Sequence, residues 1–476
     1  MKRPRLKSFI LILALIVATG AAMAYTGRGK PTAPQPPSPP PIVFSGSGPL
    51  NLSGHLVQTH VLRGSPGRVG LELMLSAGPG GEGHLSNDRG IDFVVVLDRS
   101  GSMQGPKLEY ARQSLLSLVA GLTERDRFAL FTYSDAVQKH CDLLAVTDTS
   151  RREIRSAVNG IYSSGATNLG DGLRAGIDLI TAGGRPGHPG RVILISDGLA
   201  NRGVTDPAAL GRMAAVAAGK EFAVSTVGVG ADFNEFLMTR IADQGAGAYY
   251  YLNNPAAFAE MFQKEFLAVK SAAAAGIAVS LALPPGVRVV DASGYPVTVS
   301  GDTALFYPGS LRSGQTRRIF LTLQVPTSEE ALFPIGRVIA RYRHNGQSYE
   351  VFMENAFTIA CVRDEGRVLS SIDRTRWEHQ VLNDDYNRLK QEVAADISAG
   401  SVDSAHKRID AYEKEQKALN AVVNSPGVAR NIESDVKDLK KRVDDTFQGP
   451  PAAVMEKQKS SSKSMQYEGY SNRRTN

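Results

Sequence analysis

The apolar positions of this chain fall into three rhythms. From Ile91 the sequence reads DFVVVL, an unbroken and mostly β-branched run framed by Asp92 and Asp98, the pattern of a strand covered on both faces. After it, Leu108, Ala111, Leu115, Leu118 and Val119 recur at helical spacing. The alternation then repeats: residues 128–133, 192–196, 222–229 and 249–252 read as strands, and helical patterns occupy 170–181, 207–218, 233–243 and 255–269. Strands alternating with helices of this length predict an α/β unit with a doubly wound, mostly parallel sheet.

Beyond that unit the rhythm shortens. Apolar residues alternate in the short runs 277–283, 287–291, 319–325, 336–342 and 349–353, separated by turn sequences such as Pro284-Pro285-Gly286 and Asn345-Gly346. An Asn-Gly pair between apolar runs is a hairpin signal, and the set predicts an antiparallel β-sandwich. Residues 55–62 and 69–76 alternate similarly and are expected to join it, which makes the α/β unit an insertion. From about residue 371 a third rhythm begins. Val381, Leu389, Val393 and Ile397 fit one helix face with a stop at Gly400, and helical stretches over 402–422 and 428–447 are broken at Asn424-Ser425-Pro426-Gly427. We expect a hairpin of two or three helices, followed by a Ser- and Lys-rich tail without fixed structure.

The expected domains are therefore a signal or anchor at 1–24, a proline-rich linker at 25–48, N-terminal sandwich strands at 49–88, the α/β unit at 89–270, the remaining sandwich at 271–362, a helical region at 363–448 and the tail at 449–476. Composition agrees with a multidomain globular chain: 476 residues, 42% hydrophobic and 21% charged. Two cysteines exclude a disulfide-dense scaffold and any cysteine-rich zinc or iron–sulfur site, and leave open whether Cys141 and Cys361 pair. The formal charge of +7 invites a nucleic-acid reading. Its excess, however, sits at the two ends, in Lys2, Arg3, Arg5, Lys7, Arg28 and Lys30 and in Lys457, Lys459, Lys463, Arg473 and Arg474. The body is nearly neutral, so no nucleic-acid partner is expected.

The positive leader precedes an apolar run over residues 9–17 that tapers into Ala22-Met23-Ala24, a small-residue cleavage pattern. The chain is thus expected to be exported, to the periplasm, the cell surface or the medium. Residues 8–24 would act either as a cleaved signal or as an inner-membrane anchor. Seven of residues 31–41 are proline, which fixes an extended tether.

In open α/β sheets ligands bind beyond the carboxyl ends of the strands. There the first strand ends in Asp98-Arg99-Ser100-Gly101-Ser102, a later one in Ser196-Asp197-Gly198, and a glycine-rich segment carries Gly165-Ala166-Thr167-Asn168. Three hydroxyls and two carboxylates are expected to converge, with no lysine in the set and no histidine nearby. Asp171 and Asp142 are further candidates for the rim, though each reads rather as a helix cap or a solvated loop residue. Hydroxyl and carboxylate oxygens are hard ligands, which points to Mg²⁺, with Mn²⁺ or Ca²⁺ also suited.

The D-x-S-x-S motif of Asp98, Ser100 and Ser102, followed in order by Thr167 and Asp197, resembles the metal-ion-dependent adhesion site of von Willebrand factor type A domains, over roughly residues 90–270. The resemblance implies that Ser100, Ser102 and Thr167 bind the ion directly, Asp98 and Asp197 directly or through water, and that a Glu or Asp of a protein partner completes the shell. The layout with a neighbouring β-sandwich is similar to secreted bacterial proteins and to the body of inter-alpha-trypsin inhibitor heavy chains. The expected function is metal-dependent protein binding or adhesion without enzymatic activity. The rival is a non-catalytic subunit of an AAA-type ATPase assembly of the chelatase kind. Hydrolysis by the ion itself lacks a positioned base in the motif.

Overall fold

The computed structural model describes residues 48–78, 90–185, 188–217, 220, 222–254, 257–353 and 357–475; the expected signal or anchor and nearly all of the expected linker lie outside them. Three strands come first, β1 (Leu50–Leu56), β2 (His60–Leu62) and β3 (Arg68–Ala77). The α/β unit follows as β4 (Asp92–Asp98), α1 (Pro106–Gly121), β5 (Arg127–Tyr133), β6 (Val137–Ala145), α2 (Asp148–Asn159), α3 (Leu169–Gly183), β7 (Gly190–Ser196), α4 (Pro207–Ala214), β8 (Phe222–Val229), α5 (Glu235–Gln244), β9 (Ala246–Leu252) and α6 (Phe258–Lys270).

Every residue of β4 is buried because both of its faces are covered. Phe93, Val95 and Leu97 enter one core with the apolar faces of α1, α2 and α6, while Val94 and Val96 enter the other with α3, α4 and α5. The sheet runs β6-β5-β4-β7-β8-β9, and only the β5–β6 pair is antiparallel. Because β4 lies between β5 and β7, the winding reverses there, and the loops leaving the carboxyl ends of β4 and β7 diverge around a crevice. Helix α3 lies close on the sheet: a Cβ on Gly172 would stand 2.7 Å from the Tyr133 ring, and one on Gly176 2.7 Å from Val96. That close approach seats the segment before α3, which carries Thr167, against the end of β4.

The second unit comprises β10 (Ala272–Ala282), β11 (Arg288–Ala292), β12 (Thr298–Ser300), β13 (Thr303–Arg312), β14 (Thr316–Gln324), β15 (Ala331–Ile335), β16 (Val338–His344), β17 (Gln347–Met353) and β18 (Phe357–Val362). They form sheets ordered β1-β3-β14-β11, β12-β13-β10-β16-β17 and β15-β18-β2 around one hydrophobic core, antiparallel except for β18 with β2. Strand β3 pairs with β14, with Leu71 opposite Leu321, so strands from before and after the α/β unit share a sheet. Cys141 and Cys361 stand unpaired, on β6 and β18.

The remaining helices are α7 (Glu365–Ser370), α8 (Arg374–Gln380), α9 (Tyr386–Ser398), α10 (Val402–Val423), α11 (Pro426–Arg430), α12 (Val436–Thr446) and α13 (Pro451–Thr475). Val381, Leu389, Val393 and Ile397 do share a core, together with Trp377, Ile409, Val436 and Met465. Asn424 takes the left-handed conformation that ends α10.

The tail is a correction. Residues 449–476 were expected to lack structure, yet Pro451–Thr475 is one helix that buries Met465, Tyr470 and Arg473. Its ordering is electrostatic as well as apolar. Lys459 pairs with Asp232 at 2.7 Å and Lys463 with Glu235 at 3.1 Å, both on the α/β unit, while Arg473 reaches Asp384 at 2.8 Å and also bonds Asp291. A composition of Ser and Lys reads as solvated only when its charges have no partners. Among the described residues, no helix is long and apolar enough to cross a membrane.

Candidate metal centre

Asp98 ends β4 with its side chain fully buried. Its Oδ1 accepts the Ser100 backbone N–H at 2.8 Å, and its Oδ2 accepts the Ser196 hydroxyl at 2.8 Å. The first bond turns the chain sharply after the strand, an Asx-type turn that lifts Ser100 and Ser102 over the sheet edge. Ser100 Oγ and Ser102 Oγ lie 3.1 Å apart, and Ser102 Oγ donates to Asp197 Oδ1 at 2.7 Å. Asp197, the residue after β7, is likewise fully buried.

Thr167 arrives on a separate segment. The backbone of Ser164 donates to Arg99 O at 2.8 Å, and Gly101 N donates to Gly165 O at 3.1 Å, which sews that segment to the loop after β4. Thr167 N donates to Asn201 Oδ1 at 2.9 Å, and Asn201 N returns a bond to Thr167 O at 3.2 Å. At Gly198 a Cβ would lie 3.4 Å from Ser102 Oγ and 3.5 Å from Thr167 Oγ1, so both hydroxyls border the same space and glycine leaves it open.

All five residues singled out in the sequence, Asp98, Ser100, Ser102, Thr167 and Asp197, therefore meet at one edge of the sheet. Asp142 does not, forming a surface pair with Lys139 at 2.5 Å, and Asp171 accepts from the Asn168 side chain in the first turn of α3. Two participants, Asn201 and Lys107, escaped sequence reasoning, and Ser196, which stood in the quoted segment, had no role assigned. The expectation of a set without lysine is corrected, because Lys107 Nζ lies 2.5 Å from Asp197 Oδ2 and 3.4 Å from Ser102 O. A local signal existed. Lys107 occupies the first turn of α1, where the helix dipole disfavours a cation unless an anion holds it there.

Burial pushes the Asp98 carboxyl up to about 6, against the pull of its bonds to Ser100 and Ser196 and with a further push from the Asp197 charge. Two buried carboxylates and three hydroxyls thus face one another with one ammonium to balance them. This donor set fits a hard divalent cation: each Asp98 oxygen keeps a free lone pair, and the hydroxyls add neutral oxygens. Among the described residues no three His, Cys, Asp or Glu side chains cluster elsewhere as an alternative. The rim is mixed: Tyr162 and Leu199 are largely exposed, Arg99 lies over the Tyr162 ring at 5.6 Å, and Arg202 pairs with Asp135 at 3.0 Å.

The protein YfbK of Escherichia coli (strain K12), itself uncharacterized, is 34% identical over 164 residues, covering 34% of this chain and 28% of that protein. Human inter-alpha-trypsin inhibitor heavy chain H4 is 27% identical over 162 residues, 33% of this chain and 17% of the heavy chain. The chain thus spans well under two thirds of the length of these relatives. Among solved structures, a von Willebrand factor type A protein from Catenulispora acidiphila superposes with a TM-score of 0.65 at 19% identity, over 87% of this chain and 94% of that one. The ArnB paralog VWA2 from Sulfolobus acidocaldarius follows with a TM-score of 0.52 at 16% identity, over 88% and 98% of the two chains. The fold that these structures share with this chain includes the antiparallel sheets and the C-terminal helices. The family model that matches, over residues 92–264, is that of the von Willebrand factor type A domain, and this chain carries such a domain there.

Proposed function

We propose that the chain is an exported protein-binding module whose type A domain holds a divalent cation, Mg²⁺ in the first place, between Asp98, Ser100, Ser102, Thr167 and Asp197. The observation that carries this reading is the pair of fully buried carboxylates, Asp98 and Asp197, each bonded by a hydroxyl rather than by a matching set of fixed cations. Such a pair is costly to bury alone, and a hard cation offsets that cost. The bound ion supplies positive charge that takes a carboxylate from outside. Because the three hydroxyls are neutral and the aspartates reach the ion at least partly through water, the ion keeps positive charge at its open side, and an acidic side chain of a protein partner is the ligand the site suits. The mixed rim of Tyr162, Leu199, Arg99 and Arg202 gives such a partner apolar and cationic contacts around its carboxylate.

We read the site as binding rather than catalytic. The basic group nearest the carboxylates, Lys107, is held by Asp197, and a metal-assisted hydrolysis needs a base free to take a proton from water. Titration of the purified chain with MgCl2 followed by calorimetry tests the reading. One ion per chain is expected, with Asp98→Ala losing uptake while remaining folded. No heat and no thermal shift with Mg²⁺, Mn²⁺ or Ca²⁺ would refute it.

A further inference from the structure

Lys107 is the feature of this edge that the metal-binding reading leaves without a task. Its ammonium is bound on Asp197 Oδ2 at 2.5 Å, on the carboxylate whose other oxygen accepts from Ser102. Its stem lies against the loop after β8: a Cβ on Gly230 would stand 3.4 Å from Lys107 Cε and 3.5 Å from Nζ. The side chain is 28% exposed, so it has a route to solvent that Asp197, at 0%, does not have. A second anion is within electrostatic reach. Asp232, on the same loop, is held below the usual carboxylate range by its hydrogen bond to Lys459 first, and by the Lys107 charge among smaller causes. Finally, the residue stands in the first turn of a 16-residue helix, against the dipole, so Asp197 must be what holds it there.

Resting on the proposed function above, we propose that Lys107 is a tethered cation that sets the ion and ligand preference of this site, weakening divalent-cation uptake and strengthening the hold of the loaded site on an anionic ligand. Without the ion, the ammonium neutralises one of two buried carboxylates and keeps the empty site stable. With the ion, it either remains at Asp197 or swings toward Asp232, and both arrangements have the same sign. A positive charge a few ångströms away opposes cation entry and adds to the field that draws a carboxylate. The lysine thus exchanges metal affinity for selectivity toward acidic partners.

The full chain and its Lys107→Met and Lys107→Arg variants, each titrated with MnCl2 by calorimetry, decide the matter. Lys107→Met is expected to bind Mn²⁺ at least ~10-fold more tightly than the parent, the size of effect a neighbouring charge exerts. The Mn²⁺-loaded variant is expected to bind acetate several-fold more weakly, read by the relaxation of water protons at the ion. Lys107→Arg keeps the charge and is expected to bind Mn²⁺ no more tightly than the parent. A purely structural role is distinguished by melting: Lys107→Met should melt lower than the parent in chelator, and the gap should close in saturating Mn²⁺. If the parent binds Mn²⁺ and Lys107→Met binds it equally or less well, or if Lys107→Arg gains as much as Lys107→Met, the inference is overturned while the metal site stands. If neither parent nor variant takes up any ion, the metal reading falls and the inference with it.

Discussion

Among the places where this molecule buries carboxylates, two neutralise them in opposite ways. Where α13 seals the α/β unit against the sheets and helices, Asp384 and Asp291 share the Arg473 guanidinium, and Asp243 takes Arg474 together with the Tyr470 hydroxyl at 3.0 Å. Arg473 and Asp384 are 4% and 1% exposed, so both members of that pair are shut away from water. Burial alone would pull Arg474 down, but the Asp243 charge more than reverses this and holds the guanidinium above its ordinary value. At the metal edge, Asp98 and Asp197 have hydroxyls and a lysine with a solvent route, and burial pushes the Asp98 carboxyl up instead. Planar guanidinium forks, fixed by several bonds, suit carboxylates that stay closed. Hydroxyls and one flexible ammonium suit carboxylates that must open to an ion.

The largest effect separating the two regions should come from the seam. Arg473→Ala removes the guanidinium that bonds both Asp384 and Asp291 and leaves the buried Asp384 with only the more distant Arg388 at 3.9 Å; breaking one member of a buried pair typically costs about 3–5 kcal/mol. Urea unfolding should show a loss of that order. The Mn²⁺ affinity of the folded variant should stay within about 2-fold of the parent, because the charges removed lie at the other end of the unit. A loss under about 1 kcal/mol would mean that apolar packing of Met465 and Tyr470, not the ion pairs, seats the helix.

The next effect reverses the pattern at the metal edge. Asp197→Ala removes a direct or water-bridged oxygen and should weaken Mn²⁺ binding by at least ~100-fold, about 2.7 kcal/mol. Stability in chelator should change by less than about 1 kcal/mol, since the variant also removes a buried charge and Lys107 can turn to solvent. A large loss of stability with metal binding intact would make Asp197 a structural carboxylate, like Asp384.

The same contrast explains what could be read from the sequence. Strand β4 was legible because two covering faces leave only apolar residues; Asp98, Ser100, Ser102 and Asp197 were legible because they stand at or just past the ends of such strands, and Thr167 because it stands in a glycine-rich segment before a helix. Strand β6 was not: at the antiparallel edge its VQKHCDLLA shows neither rhythm, since most of it is only partly covered. Strand β13 was hidden by Pro308 and Gly309, which stand where its pairing with β10 is irregular. Lys107 and α13 escaped for a shared reason. Their order depends on anions distant in sequence, 90 residues away for Lys107 and 227 for Lys459; a local pattern such as the first-turn position of Lys107 can mark a charge that needs a partner but does not name the partner.

The smallest test refines the seam itself. The Tyr470 hydroxyl donates to Asp243 and accepts the Tyr249 backbone N–H at 3.3 Å, while its ring packs edge-on against Tyr249 at 5.5 Å and lies under Arg474 at 4.0 Å. Tyr470→Phe keeps the ring contacts and removes the hydroxyl. The loss should be about 1–2 kcal/mol: Asp243 keeps Arg474, while the buried Tyr249 N–H loses this acceptor. A loss of 3 kcal/mol or more would require that Arg474 cannot hold Asp243 without the tyrosine, making the seam one cooperative network instead of a sum of pairs. The Tyr470→Phe, Arg474→Met double variant separates the two, because independent pairs add and a network does not.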